Sequence, residues 1–254
     1  MIAAQISEAY SVETPLSKSY DIVLLHGLFG NLSNWEHVNK EFSKLHNLHI
    51  PKLPLFEISL TESRLDSLVS YLKKYIDTKG LKKIILIGNS LGGHVALMFT
   101  LKYPELVERL VLTGSSGLYE NTFSGTFPRV KDFEYIRERV SFTFYNKEVV
   151  TDALLEDVYL TIQSPAKTLS IISLARAAQR HNLENLLHKI QIPVLLIWGL
   201  QDEITPASVG LKFEKLLPNA ELKFIDKCGH APMMEQPVQF NTYLKSFLEK
   251  NYGI

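Results

Sequence analysis

Short apolar runs bounded by glycine alternate along this chain with stretches whose apolar residues recur at helical spacing. That is the pattern of a mostly parallel sheet with crossover helices. The predicted strands are Asp21 to Leu25, Lys83 to Ile87, Leu110 to Thr113, Val194 to Trp198 and Leu222 to Ile225. Their β-branched and leucine-rich make-up suits strands covered on both faces. Between the first two, Ser59 and Glu62 have capping-box spacing, and Leu65, Leu68, Val69, Leu72 and Ile76 then mark one helical face that ends at Gly80. A second helix is predicted from about Leu91 to Lys102, stopping ahead of Pro104, and a third from Pro237 to Lys250. The first twenty residues read as an edge hairpin.

The alternation fails between about Tyr119 and Ile190, where the periodicity is helical throughout, as in Phe133 to Phe144, Val149 to Ile162 and Leu169 to Leu187. The expected organisation is therefore an α/β core formed by 1–118 and 191–254, with 119–190 inserted as a helical cap. Composition adds limits more than detail. With 254 residues, 46% hydrophobic and 21% charged, the chain has the make-up of one ordinary packed α/β domain. Its 27 basic residues balance 27 acidic ones, so no net field draws it to nucleic acid, and a small-molecule substrate is the expected partner. The single cysteine, Cys228, rules out an internal disulfide and suits a reducing compartment. The start, MIAAQISEAYSVETPL, lacks a basic segment followed by an apolar one, and no apolar stretch is long enough to span a bilayer. A soluble, unprocessed, cytoplasmic protein is expected.

The chemistry is concentrated in Gly88-Asn89-Ser90-Leu91-Gly92, between the run Ile84 to Ile87 and a helical pattern. A serine on such a strand-to-helix turn is held in a strained conformation with its hydroxyl out of the sheet, and small flanking residues let the neighbouring backbone approach. The N–H of Leu91 then falls at a helix N-terminus, where it can stabilise a developing oxyanion. A serine needs a base. Of eight histidines, His230 follows the last predicted strand, His26 ends the first, His94 lies one helical turn past the serine, and the remaining five fall in predicted loops or cap helices. An orienting acid is expected from another strand end, and Asp202 follows Val194 to Trp198, with Glu203 and Asp226 left as alternatives. The pair His46-x-x-His49 lies outside any helical pattern with a third ligand, so no metal is expected.

The motifs HGLFG, GNSLGG, WGLQDEITP and CGHAPMMEQP, in this order, resemble those of the α/β-hydrolase superfamily over nearly the whole chain. The resemblance implies an α/β-hydrolase fold without cofactor, with Ser90 as nucleophile, His230 as base and then acid, and Asp202 as its orienter. It also implies an oxyanion hole from the Leu28 and Leu91 N–H groups, with His26 bracing that loop. The substrate pocket is expected to draw on Phe29, Asn89, Phe123, Phe127, Phe142, Phe144 and Tyr159, and this apolar roof should favour uncharged acyl chains over free carboxylates. The segment Ile50 to Phe56 departs from the family's usual glycine-rich loop, and Leu53, Leu55 and Phe56 there are expected in core packing more than in the pocket.

Within the superfamily, GNSLGG, GSSGL and CGH are most similar to the meta-cleavage-product hydrolases, which split a carbon–carbon bond in anionic vinylogous diketones. That subfamily implies a cap arginine for the carboxylate and a tryptophan after the histidine. Here Val158 and Ala231 stand at those places, with Arg176 or Arg180 as candidate replacements for the cation. The sequence reading is thus a serine hydrolase of carboxylic esters with small apolar acyl groups, with carbon–carbon hydrolysis as the alternative. A ligand-binding receptor that keeps the three residues is the alternative of another class.

Overall fold

The computed structural model describes residues 18–29, 35–57, 64–121 and 131–251. In chain order these form β1 (Asp21–Leu25), α1 (Glu36–Phe42), β2 (Asn47–His49), α2 (Arg64–Lys79), β3 (Ile84–Asn89), α3 (Leu91–Lys102), β4 (Val107–Thr113), α4 (Phe133–Ser141), α5 (Asp152–Ile162), α6 (Pro165–Arg180), β5 (Val194–Gly199), α7 (Ala207–Leu216), β6 (Ala220–Ile225), α8 (Pro232–Glu235) and α9 (Pro237–Glu249). The six strands make one sheet in the order β2-β1-β3-β4-β5-β6, and every neighbouring pair is parallel.

The alternation of side chains along a strand explains the continuous apolar runs. Val23, Leu25, Leu86, Leu110, Leu112, Leu196 and Trp198 face a core shared with α2, α3 and α7. Their neighbours Ile22, Leu24, Ile85, Ile87, Val111, Leu195 and Ile197 face the opposite core, shared with Trp35, Val38 and α9. The helices between β4 and β5 join both: Leu174 and Ala178 of α6 belong to the first cluster, Ile136 of α4 and Leu155, Val158 and Ile162 of α5 to the second. Among the described residues no helix is long and apolar enough to cross a membrane.

All five predicted strands are present, with shifted ends. β4 starts at Val107 instead of Leu110 because it carries Arg109, a charge that hides the apolar pattern. The buried guanidinium binds the end of α9, donating to the carbonyls of Phe247 (2.7 Å), Leu248 (2.9 Å) and Lys250 (3.0 Å). β2 has no run to betray it, being three residues at the sheet edge, and α1 and α7 are helices the periodicity did not single out. The helical stretches predicted from Phe133, Val149 and Leu169 are present as α4, α5 and α6, but α4 ends at Ser141 and α6 at Arg180. The expected edge hairpin and the Ser59 and Glu62 pair lie outside the described residues, apart from residues 18–20, which form no strand.

Candidate active site

The parallel strands end together on one edge, and the loops there carry the predicted residues. Ser90 joins β3 to α3 at φ 54° and ψ −120°, a conformation that costs a non-glycine residue about 1–3 kcal/mol. Three backbone bonds hold it: its N–H donates to the Thr113 carbonyl (3.2 Å), and its carbonyl accepts from His94 (3.1 Å) and Ser116 (3.1 Å). The turn needs room that side chains would fill. A Cβ on Gly92 would overlap the Leu25 carbonyl oxygen, and one on Gly27 would sit 3.1 Å from the Ser90 Cβ. Gly92→Ala is accordingly expected to cost about 1–3 kcal/mol, read as a lower denaturation midpoint without a change in slope.

His230 lies in the loop between β6 and α8, buried. Its Nδ1 is 2.9 Å from Asp202 Oδ2 and 3.1 Å from Oδ1. The Asp202 carboxylate, which follows β5, is fixed by further donors: the N–H groups of Ile204 and Thr205 (both 2.9 Å) and the Thr205 hydroxyl (2.8 Å). Every oxygen is thus committed, and Nδ1 of His230 must carry a proton, which leaves Nε2 as the basic nitrogen. Burial opposes protonation of His230, but Asp202 foremost, with Glu120 and Glu235, outweighs it and moves its pKa upward. The alternatives for the acid are elsewhere: Glu203 is exposed, and Asp226 is exposed and bonded to Gln201 (2.9 Å).

The loop at Gly27 and Leu28 is braced as expected. His26 is buried with Nδ1 2.8 Å from the Gly27 carbonyl, and its Nε2 accepts from the Leu53 N–H (3.0 Å). Burial, the largest influence, lowers its pKa and keeps the ring neutral, which this donor and acceptor pairing requires. The departing segment therefore has a task in the core: Leu53 and Leu55 are buried there, and neither they nor Phe56 reach the cavity.

Ser90 and His230 open into a cavity of about 380 Å³, whose wall includes Gly27, Leu28, Phe29 and Asn89 from the core. From the stretch between β4 and β5 come Val140, Phe144, Leu154, Val158, Ile171 and Ala175, and with them Arg139 and Arg176. Leu91, buried, begins α3 behind Ser90, so its N–H is one of the unpaired donors at that helix start. Asn89 lines the cavity but spends its two amide hydrogens on the carbonyls of Thr113 (3.1 Å) and His230 (3.0 Å), tying the serine turn to the histidine loop.

Two expectations for the pocket are corrected. Phe142 is not in the wall: α4 ends before it, and it lies 45% exposed beside the Arg139 guanidinium. Tyr159 is also outside, because α5 turns Leu154 and Val158 to the cavity and leaves Tyr159 packed edge-on against Phe133, 5.2 Å between centroids. Phe123 and Phe127 lie outside the described residues. Nor is the wall wholly apolar, since half-buried Arg139 and exposed Arg176 border it, whereas Arg180, also exposed, does not. Sequence reasoning missed Thr205, Glu120 and Glu235. Glu235 accepts from the backbone of Gly229 (2.8 Å) and Tyr145 (2.7 Å), which ties the His230 loop to the stretch between α4 and α5. Only the phrases DEITP and APMMEQP hinted at two of them.

Four of the other histidines, His46, His49, His94 and His181, have structural partners. His94 Nε2 is 3.0 Å from His181 Nδ1, and burial holds its pKa down to about 3. His49 pairs with Asp21, and His46 stacks on Phe42. Among the described residues no three His, Cys, Asp or Glu side chains gather as a metal ion would need.

The family model described as alpha/beta hydrolase fold matches residues 21–237. The chain is 30% identical over 249 residues to a 2-hydroxy-6-oxononadienedioate/2-hydroxy-6-oxononatrienedioate hydrolase of Paraburkholderia phymatum, covering 89% of this chain and 86% of that one. It is 38% identical to the crystal structure of MGS-MChE2, an alpha/beta hydrolase enzyme from the metagenome of lagoon sediments at Mar Chica, Morocco, with a TM-score of 0.74 and 92% of each chain covered. A variant of the meta-cleavage product hydrolase CumD has the same fold, with a TM-score of 0.81 at 24% identity over 92% of this chain and 93% of the other.

Proposed function

The chain belongs to the alpha/beta hydrolase fold family, and on that premise we propose that it is a serine hydrolase that cleaves a carbon–carbon bond next to a carbonyl in a small, carboxylate-bearing substrate. The observation that carries this reading is the placement of Arg139 and Arg176 in the wall of the cavity that holds Ser90 and His230. A carboxylate entering an apolar pocket without a partner loses several kcal/mol of hydration; two guanidinium groups in the wall reverse that balance. They supply the cation absent at Val158, and the Paraburkholderia relative bears the name of a hydrolase of anionic dioates.

In this reading Ser90 Oγ gives its proton to His230 Nε2 and bonds to the carbonyl carbon, while the N–H groups of Leu28 and Leu91 receive the charge that develops on the carbonyl oxygen. Collapse breaks the carbon–carbon bond, whose electron pair leaves as a stabilised carbanion and takes the proton from His230. Water, deprotonated by the same nitrogen, then releases the acid from Ser90. No cofactor enters the sequence.

A second reading, hydrolysis of carboxylic esters, draws on Val158 and Ala231, both apolar and both in the cavity wall. A meta-cleavage product assayed beside p-nitrophenyl esters separates the two. The expected result is a kcat/KM for carboxylate-bearing substrates at least about tenfold above neutral analogues of equal size, a difference of only about 1.4 kcal/mol. It should fall to near parity in the Arg139→Ala, Arg176→Ala double variant. Faster turnover of neutral esters, indifferent to the arginines, would establish the esterase instead, and saturable binding without turnover would favour a receptor.

A further inference from the structure

Glu120 is the only acidic side chain among the described residues that line the cavity, and the hydrolytic steps above make no use of it. It follows β4 on the same edge as Ser90 and is mostly buried. One carboxylate oxygen, Oε2, accepts from the Ser116 hydroxyl (2.5 Å), and the N–H of Ser116 donates in turn to the Ser90 carbonyl (3.1 Å). The carboxylate is thus anchored to the serine turn. Its other oxygen, Oε1, takes no hydrogen bond or ion pair from the described residues, although Arg139 and Arg176 stand in the same wall.

A carboxylate in the wall of a binding cavity discriminates among ligands, since a ligand that displaces water from it without bringing a donor leaves it under-satisfied. The donor's charge is set by the surroundings. A cationic ligand would meet Arg139 and Arg176 in the wall and the imidazolium that forms at His230, whereas a hydroxyl pairs with Glu120 and is repelled by none of them. The reach along the ligand is short, because Glu120 is fastened through Ser116 to the Ser90 turn and lines the same cavity as Ser90 and His230.

We infer that Glu120 determines specificity by accepting a hydrogen bond from a hydroxyl next to the carbonyl that Ser90 attacks, so that the site takes α-hydroxy carbonyl compounds in preference to their deoxy analogues. This deepens the hydrolase reading and rests on it for the position of the carbonyl. The arginines hold the far, anionic end of the ligand, and Glu120 holds the near end.

Binding in the Ser90→Ala protein, which turns nothing over, tests it apart from the reaction. Methyl mandelate and methyl phenylacetate differ by one α-hydroxyl, and their dissociation constants are measured by calorimetry. The mandelate is expected to bind about tenfold more tightly. That advantage should shrink to about twofold or less when Glu120→Ala is added, and to an intermediate value with Glu120→Gln, which keeps an acceptor oxygen and loses the charge. Equal affinities in the Ser90→Ala protein, or no binding of the mandelate, overturn the inference whether or not the Glu120 variants fold. An advantage that survives Glu120→Ala overturns it too. Turnover by the unmutated protein is read separately: silence on every substrate sinks the hydrolase reading, and a lost hydroxyl preference sinks this one.

Discussion

Ser90→Ala is expected to abolish both turnover and covalent capture by a fluorophosphonate, with a loss in kcat on the order of 10⁶-fold. The loss is this large because no neighbouring hydroxyl can take over. Ser115 and Ser116 are the nearest alternatives in sequence, just after β4, but both are buried and engaged: Ser115 Oγ donates to the Ser116 carbonyl (2.8 Å) and Ser116 Oγ to Glu120 (2.5 Å). Neither lines the cavity, and neither has the strained backbone that turns Ser90 outward. Mass spectrometry of the labelled protein should find the adduct in the peptide containing Ser90 and in no other. Label retained by Ser90→Ala, or mapped to Ser115 or Ser116, would show that the strained turn serves packing and that the nucleophile lies elsewhere. Relief of the strain at position 90 does not confuse the reading, since alanine keeps a Cβ and inherits the same penalty.

The placement of Ser90, Asp202 and His230 on one edge is legible because each residue follows a strand whose apolar run announces it, and parallel strands bring such ends to one edge by construction. Where polar groups do structural work inside an element, the same logic fails. Arg109 hid the start of β4, since its reward is a set of carbonyls at the far end of α9 that no local pattern predicts. Glu120 went unread for a similar reason: a single acid after a glycine-rich turn carries no periodic signal, and only the fold places it against the serine turn. The pocket wall was the least legible part. A helix fixes which residues share a face, yet which face meets the cavity depends on how α4, α5 and α6 dock on the core. Hence Tyr159 was read into the wall that its neighbour Val158 occupies, and Arg139 was not read into it at all.

Asp202→Asn is expected to lower kcat on the order of 10⁴-fold while the fold is kept, the size of loss that follows when an orienting carboxylate becomes an isosteric amide. The local geometry makes the outcome specific. In the native site the carboxylate accepts from Ile204, Thr205 and Thr205 Oγ1 and from His230 Nδ1, four donors for an acceptor-only group. An amide retains one oxygen for the backbone N–H groups and presents an NH₂ to the imidazole. Nδ1 must then accept, the ring proton moves to Nε2, and the nitrogen facing Ser90 is no longer a base. The pH profile provides a second readout. Burial opposes the imidazolium and Asp202 is its chief support, so removing that charge shifts the His230 pKa downward. A base works when neutral, so the acid limb of the residual kcat/KM should move to lower pH. Glu203→Gln and Asp226→Asn alter exposed groups outside this network and should change kcat by less than about threefold, in line with surface substitutions of small effect. A large loss from either, with Asp202→Asn mild, would transfer the orienting role away from Asp202 and with it the tautomer assigned to His230.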